Sequence, residues 1–140
     1  MAEVIAGWTA GYAMSLVSTF ALTILLIQAS GSRAIQRYTN GEMSPWFLAV
    51  PMSLGAFLVW TIIGLILGSL YKVGGLAEHP GALGAPSAPF LIGVVAIAVM
   101  PLPLLFLFFR RQWWIWCGLS ASFVLLFGWL MPLMAQHANL

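Results

Sequence analysis

Trp46–Tyr71 reads WFLAVPMSLGAFLVWTIIGLILGSLY, a stretch without a single Asp, Glu, Lys, Arg or His. A hydrocarbon layer about 30 Å thick is crossed by about 20 predominantly apolar residues, because each helical residue rises 1.5 Å. This stretch meets that requirement with residues in hand. Three further runs do the same: Trp8–Ser30 before it, then Pro89–Phe109 and Trp113–Ala135 after it, again without Asp, Glu, Lys, Arg or His. The expectation is an all-α integral membrane protein. A single membrane domain over residues 1–140 would hold four transmembrane helices, at approximately 8–30, 46–71, 89–109 and 113–135, in an antiparallel bundle.

Composition supports the reading. Soluble chains carry about a quarter charged residues, whereas this one has 6% charged and 62% hydrophobic residues. A nucleic-acid binder would show a basic stripe, but the four arginines fall in two short connections, and lipid headgroups are their expected partners. Cys117 is the sole cysteine, so no internal disulfide can form, and within an apolar run it reads as a packing residue. The residues Met1-Ala2-Glu3-Val4-Ile5 carry an acid and no basic n-region. The first apolar run is therefore expected to stay as an anchor instead of being cleaved.

The connections set the expected orientation. Gly31–Pro45 carries Arg33, Arg37 and Glu42, and the third and fourth runs are joined by little more than Arg110-Arg111-Gln112, short enough to force a hairpin. The middle connection, Lys72–Ala88, is rich in Gly, Pro and Ala. Four arginines on one side against Lys72 on the other place both termini and the 72–88 loop on the non-cytoplasmic side. Trp46, Trp113, Trp114 and Trp116 then lie toward the inner interface, and Trp8, Tyr12 and Tyr71 toward the outer one.

Candidate functional residues are of three kinds. Gly7, Gly11, Ser15, Thr19 and Thr23 recur every fourth residue along one face of the first helix; Gly64 with Gly68, and Gly118 with Ser122, repeat the spacing. Small residues so placed let another backbone approach closely, either within one bundle or between subunits, and the hydroxyls of the first helix offer an alternative use as a pore lining. Pro101 and Pro103 fall inside the third run, where each deprives a carbonyl four residues earlier, of Ile97 or Val99, of its usual donor and predicts a kink. No polar side chain of that run stands beside them. Pro51 and Pro132 are expected nearer the ends, where water satisfies the lost bond. Glu78, His79 and His137 are weak candidates for a site on the outer face, since nothing in the sequence brings the two regions together.

The inventory argues against catalysis. Paired carboxylates, a Ser-His-Asp set (the chain has no Asp) and a phosphate-binding Gly-rich loop are missing, and no cofactor or metal is expected. With no ionisable group in the runs, coupled transport lacks its usual element. The expected role is that of a non-catalytic accessory or structural subunit, packing in the bilayer against copies of itself or other membrane subunits. An oligomeric channel or facilitator lined by Ser15, Thr19 and Thr23 is the alternative, and a membrane enzyme using His79 and Glu78 a weaker one.

Overall fold

The computed structural model describes residues 1–29, 45–73, 88–108 and 110–137. Every element among the described residues is helical. Helix α1 covers Ala2–Ala29, and a 3₁₀ turn, Pro45–Leu48, leads into α2, Ala49–Val73. Pro51 falls in the first turn of α2, where a missing N–H is least costly. Helix α3 spans Ala88–Val99 and α4 Leu102–Phe108, separated by a turn at Met100–Pro101. A second 3₁₀ turn, Arg110–Gln112, opens α5, Trp113–Leu125, which passes through a π turn at Leu126–Leu130 into α6, Met131–His137. Four stretches are long and apolar enough to span a membrane: Ala2–Gln28, Ala49–Val73, Pro89–Leu107 and Arg110–His137.

Helix α1 is the hub. It lies along α2 and also packs against α5, the π turn and α6, while α3 packs on α5 and the π turn. The largest fully buried side chains are Tyr71, Phe127, Met14, Met131, Val94 and Pro132. Trp60 of α2 reaches across to Phe123 and Phe127, with ring centroids 5.7 and 6.3 Å away, and Tyr71 meets Phe90 edge-on at 5.0 Å. These aromatic contacts tie α2 to the C-terminal half, which its backbone otherwise scarcely touches.

The outside is apolar as well: Phe20, Met100 and Leu107 are 71%, 81% and 79% exposed.

Two details differ from the sequence expectation. Helix α1 begins at Ala2, and so takes in Glu3, which is buried (9% exposed) with its carboxylate 3.1 Å from the Met1 amino group. An acid in the first helical turn is favoured by the helix dipole; the apolar window that defined the first run from Trp8 does not register it. Pro132 is buried and not water-facing. A proline in a regular helix clashes with the carbonyl four residues back, here that of Gly128. The π turn avoids this, with the Met131 N–H donating to the Leu126 carbonyl five residues back.

Candidate functional site

Four of the small residues singled out by spacing meet one another. A Cβ built on Gly7 would collide with the Gly64 carbonyl oxygen and come within 2.9 Å of the Gly68 Cα; one on Gly64 would strike the Gly7 carbonyl. Gly11 faces the Trp60 carbonyl, and Gly68 would place a Cβ 2.6 Å from the Glu3 carbonyl oxygen. The pairs Glu3–Gly68, Gly7–Gly64 and Gly11–Trp60 run in opposite chain directions. A glycine Hα occupies the direction the absent Cβ would take, so Cα–H groups point at carbonyls across the α1–α2 seam in both senses.

The stripe changes character further along α1. Ser15 is 3% exposed, and its hydroxyl donates to the Tyr12 carbonyl at 2.6 Å; Thr19 donates to Ser15 and Thr23 to Thr19, each at 2.8 Å. All three donors are taken by the helix's own backbone. Ser18 is also buried, and its Oγ has no protein partner.

Gly118 behaves unlike the other glycines of the pattern. It is exposed, no atom from elsewhere in the described chain lies within 4 Å of a Cβ placed on it, and Ser122 beside it is half-buried. No part of the described chain uses this approach point.

The proline break is the most unusual feature. Helix α3 closes with the Met100 N–H donating to Ala96 at 3.0 Å, and the next segment opens with Leu105 donating to Pro101 at 3.0 Å. Pro101 and Pro103 cannot donate to Ile97 and Val99. The third run itself supplies no polar side chain there, but Ser120 of α5 donates through Oγ to the Ala98 carbonyl at 3.2 Å. The break remains open on its outer side: Val99 is 50% and Met100 81% exposed, and no described residue from Val99 to Leu107 is buried.

Inside the break lies a groove of about 510 Å³ between α2 and the C-terminal half, lined by Trp60, Ile63, Leu67, Pro101, Trp116 and Ser120 among others. Its walls are apolar apart from the Ser120 hydroxyl and the Trp60 and Trp116 indoles. At the far end of α1, Gln112 Nε2 donates to Gln28 Oε1 at 3.4 Å beside Arg111 and Trp114.

Of the outer-face candidates, Glu78 and His79 lie outside the described residues. His137 is exposed, and its Nδ1 lies 3.0 Å from the Leu133 carbonyl of its own helix. Among the described residues no three His, Cys, Asp or Glu side chains gather to hold a metal ion. Cys117 is exposed. No family model matches the chain, and neither a curated protein nor a solved structure does.

Proposed function

We propose that this chain is a non-catalytic, multi-pass membrane subunit whose third span docks against another membrane protein. The observation that carries the reading is the exposed break at Val99–Met100–Pro101. Irregular backbone within hydrocarbon is tolerated where protein buries it or water fills a cavity beside it. Ser120 satisfies one carbonyl from inside; the outer side of the break has no cover from the described residues. A neighbouring helix would supply that cover.

The four spans form an antiparallel bundle in this reading. Gln28 meeting Gln112 at one end, and Glu3 meeting Gly68 with Tyr71 meeting Phe90 at the other, support it. Arginine counts put both termini and the 72–88 loop outside.

The glycine contacts also bear on which face remains for a partner. Gly7, Gly11, Gly64 and Gly68 are consumed inside the chain, whereas Gly118 is open to a second backbone. The pore alternative receives less support. Its three hydroxyls donate to their own helix, and Ser15 is closed off by neighbouring side chains.

The test is purification of the full chain from its own membranes in mild detergent. A protein that co-elutes in fixed stoichiometry is expected. A monodisperse species containing this chain and lipid alone would contradict the accessory role, and ion flux from the purified chain in vesicles would favour the pore.

A further inference from the structure

The end of the molecule that holds the Arg110–Gln112 turn carries a second cavity, of about 400 Å³, lined by Gln28, Arg111, Gln112 and Trp114. Its walls differ from those of the apolar groove, since among the described lining residues Gln28, Arg111 and Gln112 end in polar groups. We infer that this cavity is a phosphate-binding site that seats the headgroup of an anionic phospholipid. The inference rests on the membrane placement proposed above.

Hydrogen-bond accounting gives the ligand's chemistry. Arg111 presents five N–H donors and makes no ion pair among the described residues. The two glutamines share one bond, from Gln112 Nε2 to Gln28 Oε1. That leaves the second Gln112 N–H and both N–H groups of Gln28 as donors, against Gln112 Oε1 as the main unsatisfied side-chain acceptor. A donor-rich recess around a guanidinium suits a group with several acceptor oxygens and a negative charge, and the guanidinium fork matches two phosphate oxygens at once.

Position distinguishes lipid from other phosphate sources. Trp114 lines the cavity, and Ile27 and Trp113 adjoin its lining residues in the chain; the three are 48%, 54% and 52% exposed. An indole half in and half out of the apolar zone suits the headgroup level, and basic recesses between spans at the cytoplasmic surface bind anionic headgroups. A diacyl lipid would lay its chains on this flank with its phosphate at Arg111. Free phosphate has no use for the apolar flank.

The experiment reconstitutes the full chain in phosphatidylcholine nanodiscs and titrates phosphatidylglycerol, following Trp114 by its emission in a variant with the other tryptophans replaced by phenylalanine, and checking lipid retention of the unmodified chain by native mass spectrometry. Insertion into phosphatidylcholine alone tests the membrane reading separately, and failure there overturns both. The wild type should prefer phosphatidylglycerol, and Arg111→Gln should weaken it about tenfold, the equivalent of about 1.4 kcal/mol. Arg110→Gln, an exposed neighbour outside the cavity, should change it less than about twofold. Arg111→Lys, which keeps the charge and loses the fork, should fall between. Equal losses in Arg110→Gln and Arg111→Gln would reduce the effect to diffuse charge and overturn the site. Arg111-dependent binding of inorganic phosphate with no preference for phosphatidylglycerol would overturn the lipid assignment.

Discussion

Gly64 and Gly118 stand at similar helical spacing in the sequence and in opposite surroundings in the fold. At Gly64 a Cβ would meet the Gly7 carbonyl, whereas at Gly118 it would meet nothing. Gly64→Ala should therefore destabilise the α1–α2 seam by about 1–3 kcal/mol, the range for overpacking, while Gly118→Ala should change stability by less than about 0.5 kcal/mol. Denaturation of the purified chain in mixed micelles measures both. Two serines give a second contrast. Ser120→Ala removes the donor to the Ala98 carbonyl and should cost about 1 kcal/mol. Ser18→Ala removes a buried hydroxyl with no protein partner and should stabilise by about 1 kcal/mol. Spacing alone made Gly7, Gly11, Gly64 and Gly68 legible as packing residues, because fourth-residue repeats fall on one face whatever the neighbour. It could not separate them from Gly118, since which face finds a neighbour depends on the arrangement of helices. Ser120 was missed for the same reason: its acceptor is on another helix, 22 residues earlier.

At the scale of elements, the apolar runs showed where four helices would form, but local terms moved their ends. Helix α1 extends through Glu3 because an acid suits a helix start, which hydropathy counts only as a polar interruption. The prolines separate two outcomes. Pro101 and Pro103 interrupt the helix between Val99 and Leu102, whereas Pro132 is absorbed by a π turn centred on the buried Gly128. In a regular helix interior a proline costs about 3 kcal/mol or more. Because the π turn already relieves the clash at Gly128, Pro132→Ala should shift stability by only about 1 kcal/mol or less, well short of that figure. Micelle denaturation with helicity followed by circular dichroism checks it; a gain near the full amount would show that the π turn does not carry the relief. A proline with glycine four residues before it, as in Gly128 and Pro132, was the available sequence signal for this turn.

For the whole molecule, the proposal makes shape and packing its means of action. Replacing the titratable candidates together, Glu78→Gln, His79→Ala and His137→Ala, should leave insertion and co-elution unchanged; loss of biological activity in a variant that still inserts and assembles would make the outer face an active or metal site. Reporter cysteines at Asn40 and Gly81, both outside the described residues, should label from opposite sides of the membrane. The most direct measurement concerns the uncovered break. A photo-crosslinking amino acid at Met100, 81% exposed beside Pro101, is compared in native membranes with one at Ile62, 56% exposed on α2. The account predicts a discrete protein adduct from Met100 and mainly lipid adducts from Ile62. Lipid adducts alone from both positions, in a chain shown to be inserted, would contradict the claim that another subunit covers the third span.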